Sequence, residues 1–261
     1  EAMTMDRIMD IATTTATAMA LARSIIIMAE CGDMRMNESS YLLLQINDAA
    51  FPIGSFTHSF GLETYILNGQ VTTTKDGERY VAQNLKSSFL YSDLLPGKLA
   101  WKLARAGDID GLVRLERELR AYRPARETRE AASKLGIRFA RTAALLCEED
   151  GLFARYVGAA GRDVSRPVSY GVFCADANIA CMDALAHYLY AHASGMVTCC
   201  LKTVPLSQSE GQHILTAIRP VFRQVMEELE SLNADDMMRS CPGLEARSMQ
   251  HERLYSRMYI S

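Results

Sequence analysis

The segment ALAHYLYAHASGMVTCCL, residues 184–201, decides the fold. It runs eighteen residues without a formal charge, close to the length that spans a bilayer. Yet it carries His187, His192, Ser194, Gly195 and Thr198, and Asp183 and Lys202 close its ends. A helix buried inside a bundle of other helices accounts for that mixture better than a membrane span.

The flanking sequence supplies such a bundle. SSYLLLQIND (39–48) offers a serine cap and Leu43, Leu44 and Ile46 before the Phe51-Pro52 break. His58 to Leu67 reads as a short helix closed by Asn68-Gly69. Thr74 opens a long helix in which Tyr80, Val81, Leu85, Phe89 and Leu90 recur at helical spacing, interrupted at Pro96-Gly97 and resumed from Leu99 to Ala106. Gly111–Tyr122 follows a cap at Asp108 or Asp110, and Ala125–Glu149 follows Pro124. A weaker segment punctuated by Gly151, Gly158 and Gly161 leads to a helix with Pro167 in its first turn. Ser207 or Ser209 caps a run to Leu232, and Leu244–Met258 reads as the last helix. No run alternates apolar and polar residues between hairpin turns, and no repeat or dividing linker is present. The expected architecture is a single all-α domain, a bundle of roughly ten helices.

Composition narrows the function classes. The 28 basic residues against 31 acidic ones give a net charge of −3, which provides no general attraction for nucleic acid or an anionic membrane. Seven cysteines, an odd number with no CxxC pair, read as reduced thiols in a cytoplasmic protein. The N-terminal stretch does not read as a secretory leader, because Asp6, Asp10 and Arg23 interrupt its apolar run. Residues 1–35 are read as an extension whose origin the sequence leaves open. Met36 is the expected natural start, with the domain occupying 36–261.

FPIGSFTHSFGLETYILNG (51–69) sets serines beside a histidine among four aromatic rings. A hydrolase using Ser55 or Ser59 with His58 is the enzyme reading. A nucleophile elbow needs glycine two residues before and after the serine, on a strand-to-helix turn; around Ser59 those positions are Thr57 and Gly61, and no strand carries the turn. Caps and a tight turn explain the same residues. His187 and His192 fall on different helix faces, and Cys174 and Cys181 have no evident fellow ligands, so no resident metal is expected. No P-loop run is present.

Arginines at 114, 117, 120, 123, 126 and 129 recur every third residue, but at about 3.6 residues per turn the row drifts around the helix. Glu116, Glu118, Glu127 and Glu130 offset it, so a solvated, ion-paired face is expected. The end, SMQHERLYSRMYIS (248–261), is rich in Tyr, Met and Arg, residues suited either to an interface or to docking on the chain's own domain.

LQINDAAFPIGSFTHSFGLETYI (44–66) resembles the signature of the urease accessory protein UreF family. SYGVFCADANI (169–179), SGMVTCCLKTVPLSQSEGQ (194–212) and the C-terminal SMQHERLYSRMYIS agree with it in order and separation. The resemblance implies a non-catalytic, dimerising helical scaffold without a cofactor of its own. Such a scaffold joins UreD (also called UreH) and the GTPase UreG, modulates GTP hydrolysis and helps install nickel in apo-urease, with UreE as the usual nickel donor. It further implies that residues 51–61, with exposed aromatics, form a recognition surface in which Phe56, His58 and Ser59 face the GTPase. A tyrosine often stands where this chain has Phe56. Arg257 is the implied charged anchor to UreG or UreD, with His251, Tyr255 and Met258 beside it. Tyr170 is implied in the dimer interface or the core.

Overall fold

Three helices begin at side chains that complete their first turns. Thr73 Oγ1 accepts the Asp76 N–H while the Asp76 carboxylate accepts the Thr73 N–H; Ser207 and Glu210 repeat this box, and Asp108 accepts the Gly111 N–H at 2.8 Å. The cap of the long helix is thus Thr73 rather than Thr74. Thr74 instead donates to Glu210, tying the two boxed helix starts together at 2.6 Å.

The computed structural model describes residues 38–237, 239 and 241–260. Among them stand eleven helices and no strand. They are α1 (Glu38–Asn47), α2 (Leu62–Leu67), α3, α4 (Ile109–Tyr122), α5 (Arg126–Ala143), α6 (Leu152–Ala160), α7 (Arg166–Asp176), α8 (Cys181–Thr203), α9 (Gln208–Ala217), α10 (Arg219–Ser231) and α11 (Pro242–His251). Helix α3 joins α-helical Thr74–Asn84, π-helical Leu85–Leu94 and α-helical Leu95–Arg105. The all-α reading therefore holds. From Leu42 onward the chain packs as one unit. The extension read at residues 1–35 lies outside the described residues.

Glycine sets how closely the central helices approach. A Cβ on Gly171 of α7 would collide with the Gly97 carbonyl of α3, and one on Gly136 of α5 with the Val164 carbonyl. Around these close approaches lie Phe139, Phe153, Phe173 and Tyr170, all fully buried, with edge-on ring pairs at 5.6 and 5.9 Å. The Tyr170 hydroxyl donates to the Ala184 carbonyl and accepts from Asn47, each at 2.8 Å. Helix α8, the segment that decided the fold, buries Leu185, Tyr188, Leu189, Ala193 and Met196. It keeps an exposed stripe through Ala186, Tyr190, Gly195 and Thr198. It is amphipathic rather than enclosed, and no described helix is long and apolar enough to cross a membrane.

Pro96-Gly97 does not interrupt α3. In the π segment the Leu95 N–H reaches back to the Leu90 carbonyl, five residues earlier. In an α-helix, residue 96 would donate to the Ser92 carbonyl; proline has no N–H, and the Arg123 guanidinium donates there instead, at 3.0 Å. The run from Ser207 to Leu232 divides at Ile218, where Pro220 begins a new helix. His58–Leu67 is helical only from Leu62, after a 3₁₀ turn at Ser55–Thr57. The last helix stops at His251, not Met258.

Candidate functional site

The end of the last helix brings the two most distinctive stretches of sequence together. Gly54 has φ 76°, and Thr57 turns back to donate to its carbonyl at 2.8 Å. Phe60 and Gly61 then take successive left-handed conformations, φ 49° and 91°, which swing the chain into α2. A Cβ on Gly61 would stand 2.8 Å from the Ser248 hydroxyl, so the glycine serves both the turn and the approach of α11. Thr64 completes the dock by donating to the Arg247 carbonyl at 3.0 Å.

This apposition buries Glu63, His251 and the tail backbone against one another. Glu63 is 3% exposed and His251 is fully buried. His251 Nε2 lies 2.9 Å from Glu63 and Nδ1 lies 2.7 Å from Glu127. Arg257 donates to the other oxygen of Glu127 at 2.6 Å. The Met258 and Tyr259 N–H groups donate to Glu63 at 2.6 and 3.2 Å, and Ile260 N–H donates to the Thr57 carbonyl at 2.8 Å. Past His251 the helix closes in short turns, Arg253 N–H donating to the Gln250 carbonyl and Leu254 N–H to the His251 carbonyl, and the amides farther along the tail find a carboxylate.

With its backbone tied inward, the tail turns apolar side chains outward. Tyr255 is fully exposed, Met258 is 62% exposed and Ile260 55%, while Tyr259 is buried. The tail thus docks on its own domain through its backbone and Arg257, and still presents apolar surface.

The other residues singled out from the sequence fall as follows. His58 and Ser59 are buried, Phe51 is buried and Phe60 half-buried, so among the described side chains of this segment no aromatic ring is fully exposed, and the segment supports the tail. The side chain of Phe56 lies outside the described residues. Burial, with Arg138 and Lys134 nearby, lowers the His58 pKa to about 4. Its carbonyl accepts the Cys199 thiol at 3.7 Å. Ser59 Oγ accepts the Glu63 N–H at 3.4 Å. Tyr170 lies in the core, with no exposed surface.

The arginine row also divides. Arg120 pairs with Asp163 and Arg126 with Glu252 on the surface, but Arg123 is buried. Of the offsetting acids, Glu116 is buried and Glu127 belongs to the tail latch. Sequence reasoning missed Glu63 and Glu127 as functional residues. The available signal was a glutamate set between Leu62 and Thr64 of an apolar motif, which demands a buried partner. Among the described residues no group of three or more His, Cys, Asp or Glu is placed to hold a metal ion. Burial pushes the thiols of Cys147 and Cys181 up to about 11, away from thiolate chemistry.

The fold and site define an all-helical protein that latches an apolar tail onto its own core through buried hydrogen bonds. The UreF family model matches residues 71–219. A urease accessory protein UreF of Actinobacillus pleuropneumoniae serotype 5b (strain L20) is 34% identical over 84% of this chain and 97% of its own length. Counterparts in Haemophilus influenzae (strain PittEE) and Geobacillus kaustophilus (strain HTA426) are 33% and 30% identical over 84% of this chain, and over 94% and 96% of their own lengths. The chain belongs to the UreF family of urease accessory proteins.

Proposed function

We propose that this chain is a non-catalytic, cytoplasmic scaffold for urease maturation. It dimerises, joins UreD/UreH and recruits the GTPase UreG, so that nickel delivered by UreE enters apo-urease while GTP hydrolysis by UreG is modulated. Nickel is cargo of the assembly. The observation that carries this reading is the tail. Exposed Tyr255, Met258 and Ile260 stand on a backbone fixed by Glu63, while Arg257 is held at Glu127. A short apolar segment held rigid in water is suited to a protein partner, because its ordering entropy is already spent. His251 belongs to this reading as the support of the tail. Phe56, His58 and Ser59 belong to it through the segment beneath.

Light scattering after size exclusion tests it. The chain is run alone, with UreD, and with UreD, UreG, GTP and nickel. A dimer that grows into a defined complex, and loses UreG on Arg257→Ala, supports the scaffold and the tail as its contact. A chain that stays alone in every mixture overturns the reading.

A further inference from the structure

Helix α5 is tied to the tail at one end and to the turn at Ser55–Thr57 at the other. Its inner face buries Ala131, Leu135, Phe139 and Ala143, which fixes the helix on the core. At its start, Arg126 pairs with Glu252 at 3.0 Å and Glu127 accepts from Arg257 at 2.6 Å. Farther along, exposed Arg138 donates to the Ile53 carbonyl at 3.3 Å, beside Gly54. The Gly54 carbonyl accepts from Thr57, whose own carbonyl accepts the Ile260 N–H. Direct contacts therefore carry the outer face of α5 into the tail, and the two form one surface.

The charges on that surface do not balance. The carboxylates set between its cations are taken: Glu127 by His251 and Arg257, Glu252 by Arg126, and Glu130 by Lys134 at 3.7 Å. Among the described residues no carboxylate pairs with Arg138, Arg141 or Arg253, and all three are exposed. Lys134, Arg138 and Arg141 follow one another at spacings of four and three, so they share one helix face. The next turn, Ala144–Leu146, holds Leu145 82% exposed, and Glu148, Glu149 and Asp150 mark the far edge of the basic stretch. A chain with net charge −3 thus gathers unpaired cations beside exposed Leu145, Met258 and Ile260. Cations interleaved with carboxylates and apolar side chains suit a protein surface better than a run of phosphates, which calls for cations alone.

We propose that the outer face of α5, from Lys134 to Leu145, extends the contact surface of the tail and docks an acidic protein surface, whose carboxylates meet Lys134, Arg138 and Arg141 and whose apolar side chains meet Leu145. This rests on the scaffold reading and adds the chemistry of the partner: the protein that the tail engages, UreG in that reading, presents carboxylates to α5. Exposed cations of this kind steer the encounter and set its salt dependence more than they hold the finished complex. The buried face of α5 already orders the helix, so docking on it demands little further ordering.

Surface plasmon resonance tests it, with UreG, GTP and nickel passed over the complex of this chain with UreD at several salt concentrations. Arg141→Glu is compared with Arg117→Glu, an equal charge reversal at an exposed site on α4. Arg141→Glu is expected to weaken UreG by about tenfold or more, chiefly through slower association, and to flatten the salt dependence. Arg141→Gln, which removes the cation without adding repulsion, should fall between it and the parent, and adding Lys134→Glu to Arg141→Glu should weaken UreG further. Arg117→Glu should bind as the parent does. An Arg141→Glu chain that binds UreG like the parent, or an equal loss in Arg117→Glu, would overturn the proposal and leave the scaffold reading standing. So would loss of UreD in place of UreG, which gives the face a different occupant, or binding of duplex DNA or anionic vesicles as tight as that of UreG. A parent chain that captures no UreG at all would overturn the scaffold reading together with the proposal.

Discussion

Two glutamates are buried almost completely, and the fold treats them oppositely. Glu63 meets the imidazole of His251 and two tail amides, so both of its oxygens are engaged by partners from the far end of the chain. Glu116, 1% exposed in the core, meets the Tyr156 hydroxyl at 2.5 Å and the Ser165 N–H at 2.8 Å through one oxygen, and its second oxygen is unpaired. With desolvation the largest influence on it, Glu116 is raised to about 7. One carboxylate is a fastener between distant segments; the other is a neutral-leaning hydrogen-bond acceptor at the start of α7. Burial alone therefore says little about what a carboxylate does. Its donors decide.

The largest effect should come from cutting the fastener. Glu63→Ala leaves His251 with Glu127 alone and strands the Met258 and Tyr259 amides. Each buried hydrogen-bonding group left without its partner costs about 1–3 kcal/mol. Urea denaturation should show that loss, and hydrogen exchange should show the amides of 258–260 opening far faster than those of α8. Tail amides that stay protected would mean that Glu63 is not what holds the tail.

Glu116 should instead reveal itself through pH. Its folded value, about 7, lies above the ordinary 4.5, so its contribution is complete below about 4.5 and is lost as pH rises to about 7. The loss is about 3 kcal/mol. Glu116→Gln keeps an oxygen for Tyr156 and Ser165, so it should match the parent near pH 4.5 and exceed it by up to that amount above pH 7. His58 and His192, lowered to about 4 by burial, act in the other sense: their contribution is lost as pH falls from about 6.5. They are common to both proteins and cancel in the difference. A stability difference that does not vary with pH would remove Glu116 as the cause.

These two glutamates also mark how far the sequence could be read. Helical periodicity in Tyr80–Leu90 and the caps at Asp108 and Ser207 are local, and the bundle follows from them. The motifs at 51–69 and 248–261 stood out by composition, but nothing in either names the other. Their meeting rests on Glu63 and His251, 188 positions apart. The same distance hid how the chain beyond the last helix is held, since its amides meet Glu63 only in the tertiary fold. Pro96 misled for a parallel reason. Its cost to the helix is met by Arg123, and only the tertiary fold shows that an arginine from the seemingly solvated row reaches Ser92.

A weaker break of the latch tests its geometry and spares its charges. Gly61→Ala places a methyl group near Ser248 and asks alanine to hold φ 91°. The strained conformation costs about 1–2 kcal/mol before the contact is counted. The loss should appear as a lowered urea midpoint together with tail exchange, while α5 and α7 keep their protection. Gly69, also at positive φ but with nothing within 4 Å of its would-be Cβ, provides the control. Gly69→Ala should cost only the conformational part and leave the tail alone, and equal tail opening in the two variants would break the assignment.

The smallest effect on stability should come from the residue with the largest expected effect on assembly. Arg257 pairs with Glu127 at 2.6 Å, but its side chain is 39% exposed. Exposed pairs contribute within about 1 kcal/mol. His251 remains on Glu127 and the tail amides remain on Glu63 when the guanidinium is gone. Arg257→Ala should therefore leave the denaturation midpoint almost unchanged and the tail protected, whereas Glu63→Ala frees the tail altogether. If both variants lose UreG, the contact needs the tail ordered and its cation present. If only Glu63→Ala loses it, order suffices, and the apolar side chains of Tyr255 and Met258 carry the recognition without the charge beside them.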